Sequence, residues 1–182
     1  MTPRPVVPAL LATAALLAAG CLGAQVKTSS LCATEGGQVV PGASPGGSIH
    51  TQVTIDLGEL GSDLDRSGVT GTVLLHEFTI AATDPLADLY GVTQVALVAT
   101  TDPSSSLPPV VLTCSYERPA GATPPLRTVV ADCSGPNLFD YVKARSLTLD
   151  VDLAGTGLPS VPWTASMGAC MSVQVDVDYT AL

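Results

Sequence analysis

Apolar and polar residues alternate strictly in three stretches of this chain. In "HTQVTIDLG", Val53, Ile55 and Leu57 share one parity, and Gln52, Thr54 and Asp56 share the other. In "SLTLDVDL", Leu147, Leu149, Val151 and Leu153 alternate with Thr148, Asp150 and Asp152. In "CMSVQVDVDY", Met171, Val173, Val175, Val177 and Tyr179 alternate with Ser172, Gln174, Asp176 and Asp178. A period of two predicts strands with one buried and one wet face. The runs "TGTVLLHEFTIAAT", "VTQVALVAT", "PVVLTCSY" and "RTVVADC" are rich in β-branched residues and bounded by Gly or Pro, which adds four more strands. A further short strand is expected near Val161 to Thr164. About seven or eight strands with turn signals between them predict an all-β fold. The expected architecture is an antiparallel β-sandwich, Ig-like or jelly-roll-like, with a small closed barrel as the alternative.

Two short helical turns interrupt this pattern. "TDPLADLYG" offers Asp84 as N-cap, Pro85 at the first helical position and Gly91 as the stop. "GPNLFDYVKARS" places Asn137 before a turn carrying Leu138, Phe139, Tyr141 and Val142. The aromatic residues of these turns read as caps on the open ends of the core. Trp163 reads the same way, as a buried plug at a sheet end, with an exposed stacking residue as the alternative. His76 shares the parity of Leu74, Phe78 and Ile80, which predicts a partly buried packing residue.

The N-terminal region follows a different pattern. From Val6 to Ala19 an apolar run of about 14 residues ends in Ala18, Ala19, Gly20 and Cys21, with Arg4 the one basic residue before it. A bilayer span takes ~20 apolar residues, so the run is too short to cross. Its length suits the h-region of a secretory signal peptide. The small residues ahead of Cys21 resemble the lipobox of bacterial lipoproteins. In that family the cysteine thiol receives a diacylglyceryl group and the chain is cut just before it. The usual Leu three places before the cysteine is Ala18 here, with Leu17 one place further back. The resemblance covers the first 21 residues and implies a signal peptide over residues 1–20, with Cys21 as the acylated residue. Palmitate-type chains on Cys21 would tie the protein to a lipid bilayer. Leu22, in place of Asp, lacks the usual inner-membrane retention signal of that family, which implies the outer membrane. An ordinary secretory peptide cut after Ala24 is the competing expectation. Beyond the lipobox, the likeness to small envelope lipoproteins is one of composition and names no activity.

Residues 21–47 are rich in Gly, Ser, Pro and Thr and predict a flexible tether after the anchor, with a sandwich domain over 48–182. The remaining length suits one domain with a sizeable core.

Charge narrows the partners. The chain carries 7 Lys+Arg against 16 Asp+Glu, a formal charge of -9. It has no Lys/Arg cluster, so nucleic-acid binding lacks its electrostatic footprint. Anionic headgroups would repel such a domain, which should stand off from the bilayer.

The chain has five cysteines. With Cys21 set aside, Cys32, Cys114, Cys133 and Cys170 form an even set, which in an exported chain suggests two disulfides. Three pairings are open. Cys114 and Cys133 each end a strand-like run, as in a bridged hairpin, and that pairing leaves Cys32 for Cys170. Cys170 has the parity of Gln174 and Asp176, on the wet side of its strand, which suits a bridge to an external segment.

Candidate chemistry is thin. "DLDRSG", Asp63 to Gly68, resembles the first half of an EF-hand calcium loop. Its twelfth position is Leu74 where a bidentate Glu is needed, and strands flank it. Asp63 and Asp65 with Glu59 are the calcium candidates, and an acidic turn is the simpler reading. The acids of Asp150/Asp152 and Asp176/Asp178 would crowd one face only if their strands were neighbours. His50 and His76 are the only histidines, and no GxSxG, HExxH or P-loop occurs. The expectation is a non-enzymatic, membrane-anchored structural or binding module needing no cofactor. A calcium-stabilised adhesion or recognition domain is the alternative, and a secreted hydrolase the more distant one.

Overall fold

The computed structural model describes residues 23–57, 61–62, 64–101, 107–144 and 146–178 of the chain. Residues 1–20, expected to be a signal peptide, together with Cys21, Glu59 and Asp63, lie outside the described residues. Eight strands form: β1 (Gly23–Val40), β2 (Ser48–Asp56), β3 (Val69–Ala82), β4 (Val92–Thr100), β5 (Val110–Ser115), β6 (Thr128–Ser134), β7 (Ser146–Gly155) and β8 (Trp163–Asp178). One short helix, α1 (Phe139–Lys143), sits between β6 and β7.

All strand pairs are antiparallel, in the order β1-β8-β3-β6-β5-β4-β7-β2. β5 turns the corner of this sheet. Its first half pairs with β4, as in Leu112 with Leu97, and its second half pairs with β6, as in Cys114 with Cys133. The sheet thereby folds into two layers, β1-β8-β3-β6 and β2-β7-β4, and its end strands β1 and β2 lie against each other. Pairing of first with eighth, second with seventh, third with sixth and fourth with fifth strand is the jelly-roll order. The sandwich and barrel readings of the sequence meet in this form, a two-layered sheet that is nearly closed.

The alternating stretches bury the faces expected of them, with Val175 and Val177 of β8 only partly buried and Tyr179 outside the described residues. Ile49, Val53 and Ile55 of β2, Leu147, Leu149, Val151 and Leu153 of β7, and Met167, Met171 and Val173 of β8 enter one continuous core. Large and small residues interdigitate there. Phe78 is fully buried and pairs with Ala131 on β6 and Ala169 on β8, so its ring lies between two methyl groups.

Most of the segment expected to be a tether, residues 21–47, is instead strand β1, Gly23–Val40, followed by a loop over 41–47. β1 pairs with β8 from Gly23–Asp178 to Val40–Trp163. Its Gly-, Ser- and Thr-rich sequence has little strand preference of its own. β8 supplies the ladder, and two register shifts, at Thr28/Leu31 and Glu35/Gln38, accommodate the irregular sequence.

His76 departs from its expected place too. Leu75 pairs with Met171 and Glu77 with Cys170, which leaves His76 as the extra residue of a β-bulge. The inward parity switches there from Val73 and Leu75 to Phe78 and Ile80, and His76 is exposed. The segment 83–91 closes as a turn, with Asp84 Oδ1 accepting from the Leu86 N–H at 2.8 Å, and not as a helix. Gly91 is required there by close approach: a Cβ would stand 1.6 Å from the carbonyl oxygen of Thr156. The second expected helical turn is α1, and Leu138, Phe139, Tyr141 and Val142 are all buried. Trp163 is buried as the first residue of β8.

Candidate functional site

Because β2 and β7 pair in register, their wet faces form a ladder of partnered side chains. His50 Nδ1 lies 2.9 Å from Asp152 Oδ1. Gln52 Nε2 donates to Asp150 Oδ1 at 2.8 Å, and the Thr54 and Thr148 hydroxyls are 3.1 Å apart. This is the main polar constellation of the outer surface that the described residues bring together. The side chains of His50 and Asp152 are about two-thirds and half exposed, so the pair contributes little to stability.

The ladder assigns the acids of β7. Each finds a donor on β2, and β8 lies in the other layer, so the four carboxylates of the two "DVD" steps do not crowd one face. His50 and His76 also stand on different layers, one on β2 and one at the bulge of β3. A His-Asp pair becomes a nucleophile-activating unit only with a hydroxyl at the second ring nitrogen. Ser48, the nearest wet-face hydroxyl along β2, is engaged with Ser44 at 2.8 Å.

Of the calcium candidates, only Asp65 lies among the described residues, and it is exposed. Around it the backbone turns helically, with the Asp65 N–H on the Gly61 carbonyl at 3.1 Å. Among the described residues no group of three His, Cys, Asp or Glu side chains is placed to hold a metal ion.

The cysteines form two disulfides, Cys32–Cys170 and Cys114–Cys133. The first joins β1 to β8 on the wet face, as the parity of Cys170 implies. The second joins β5 to β6 on the inner side, with Cys133 buried. The end of the fold bearing the 83–91 loop has a second polar cluster. Asp88 Oδ1 accepts from the Tyr90 N–H at 2.9 Å and the Leu126 N–H at 2.8 Å. Arg127 donates to the carbonyls of Asp84 and Pro85, and the Arg118 guanidinium lies 4.0 Å over the Tyr90 ring. Burial pushes the nearby Tyr116 phenol above its ordinary pKa, and Arg118 opposes that shift. These contacts tie two loops to each other. Neither cluster was legible in the sequence, because the partners come from strands and loops distant along the chain.

Compared with known proteins, the chain matches no family model, no curated protein and no solved structure.

Proposed function

We propose that this protein is an envelope lipoprotein, anchored through acylated Cys21, whose jelly-roll body is a non-enzymatic structural or binding module. One observation carries the reading: four of the five cysteines pair with each other, which leaves Cys21, at the end of the lipobox-like run, as the one thiol outside a disulfide. Two or more acyl chains hold a protein firmly to a bilayer, at ~0.8 kcal/mol per buried CH₂. Two disulfides suit an oxidising compartment outside the cytoplasm. Leu22 after the cysteine favours the outer membrane. The partnered polar ladder favours a surface that presents side chains over one that performs chemistry.

Intact mass of the mature protein extracted from membranes tests the proposal. The expected mass is that of the chain from Cys21 with acyl adducts and two oxidised cysteine pairs. The Cys21→Ser variant should remain unprocessed at this site and lose the lipid adduct. A mature chain beginning at Gln25 without a fatty adduct would overturn the reading. Melting with and without EDTA separates this module from a calcium-stabilised recognition domain, since a bound ion raises the midpoint by mass action.

A further inference from the structure

β1 stands at one end of the strand order and takes its ladder from β8. From Ser30 to Val39 none of its side chains is buried, and Leu31 and Ala33 are the partly buried apolar ones. Burial resumes at Val40, and the Ala43 N–H on the Pro159 carbonyl, at 2.7 Å, holds the chain just beyond. Hydrophobic burial therefore does little to hold the middle of β1, and a Gly-, Ser- and Thr-rich backbone adds little strand preference.

Two interruptions bracket the stretch that carries Cys32. The ladder shifts register at Thr28/Leu31 and again at Glu35/Gln38. The second shift contains Gly36 and Gly37, and Gly37 has φ 69°, a left-handed conformation that glycine adopts without strain. This Gly-Gly pair is a hinge. On its N-terminal side β1 is held by the β8 ladder, by the Asp56 N–H on Glu35 Oε1 at 3.3 Å, and by the bridge from Cys32 to Cys170.

The two disulfides differ in access. Cys32 is exposed on an edge strand, and Cys170 is half-buried. The other bridge joins half-buried Cys114 to buried Cys133, on strands whose Leu112, Val129 and Ala131 sit in the core. An exposed disulfide is open to an attacking thiolate and is the more readily reduced.

We propose that Cys32–Cys170 is a redox latch, a thiol–disulfide exchange site for a dithiol reductant, whose opening frees β1 up to the Gly36–Gly37 hinge. A thiolate of the dithiol attacks the Cys32 Sγ, the S–S bond breaks, and Cys170 departs as a thiolate that takes up a proton. The second thiol of the reductant then attacks the mixed disulfide and releases the Cys32 thiol. Two electrons pass to the bridge, and the dithiol becomes a disulfide. While the latch is closed, any opening that starts at Gly23 stops at Cys32. Once it is reduced, opening runs on through Ala33, Thr34 and Glu35 and leaves the facing edge of β8 unpaired, a template for another strand.

Thiol trapping tests the latch. The oxidised protein is treated with dithiothreitol without denaturant, quenched with iodoacetamide and mapped by peptide mass. Cys32 and Cys170 should be alkylated roughly tenfold faster, or more, than Cys114 and Cys133. In the selectively reduced protein, the β1 amides from Leu31 to Glu35 should exchange hydrogen roughly tenfold faster, or more, while those of β2 and β7 stay protected. Cys32→Ser with Cys170→Ser should show the same exchange with no reductant present. Reduction of both bridges at one rate overturns the latch, as does selective reduction that leaves β1 exchange unchanged. Intact mass reads the acyl group on Cys21 separately, so failure here is distinct from failure of the lipoprotein reading.

Discussion

Cys32 and Cys170 are direct cross-strand partners, with Cα atoms 4.0 Å apart on the wet face of the β1–β8 pair. They are separated by 138 residues, so one covalent bond joins the first strand to the last. Chain-entropy reasoning makes a bridge over so long a loop worth more than one over a hairpin.

Removal of Cys32–Cys170 by Cys32→Ser with Cys170→Ser should therefore cost roughly 4–5 kcal/mol in the chain-entropy model. Removal of Cys114–Cys133, whose partners are 19 residues apart, by Cys114→Ala with Cys133→Ala should cost roughly 3 kcal/mol. Urea unfolding of the two double variants checks the order, and the reverse order would refute the entropic account.

Phe78, between Ala131 and Ala169, has neighbours too small to collapse into the space its ring fills. Phe78→Ala should lower stability by about 3–5 kcal/mol. Chemical denaturation reads this directly. A loss under 1 kcal/mol would mean that the layers close over the gap.

Asn137 joins the β6–β7 crossover to β3. Its Oδ1 accepts from the Val73 N–H at 2.8 Å and the Phe139 N–H at 3.0 Å, and its Nδ2 donates to the Gly71 carbonyl at 2.9 Å. Asn137→Ala strands two backbone donors and should cost about 1–3 kcal/mol. Hydrogen exchange should show faster exchange at Val73 and Phe139 while the amides of β2 stay protected.

Gly91 stands where β7 leaves its strand, and Gly91 accepts from the Thr156 N–H at 3.0 Å. Gly91→Ala forces that backbone apart and should cost about 1–3 kcal/mol or more, in the range of overpacking. Gly36→Ala meets only the Ser166 hydroxyl, at 3.7 Å, and should be far milder. Comparing the two melting midpoints tests the assignment.

Tyr116 supplies a pH dependence. Burial raises its folded-state pKa above the ordinary value of 10.0, so the unfolded chain loses that proton first as pH rises. The two states bind it equally below that value, and stability falls as pH climbs through it. Tyr116→Phe should flatten the alkaline limb of melting temperature against pH relative to the parent protein.

The sequence and the fold agree where information is local. Strict alternation in β2, β7 and β8 named their inward residues, since side chains two apart lie on one face of any strand. It failed at His76, where one extra residue inverted the parity of β3 midway. It failed at β1, whose Gly- and Ser-rich composition is that of a coil. Only the free edge of β8 makes it a strand.

By itself, then, the sequence determined an all-β body, most of its core and an even set of cysteines, because hydrophobic period and turn chemistry are written within a few residues. The tertiary structure decided the jelly-roll order, the corner in β5, the His50–Asp152 pairing across 102 residues and the conversion of a tether into a strand. Those features depend on which distant segments meet, and strand pairing is a property of two segments that neither one encodes alone.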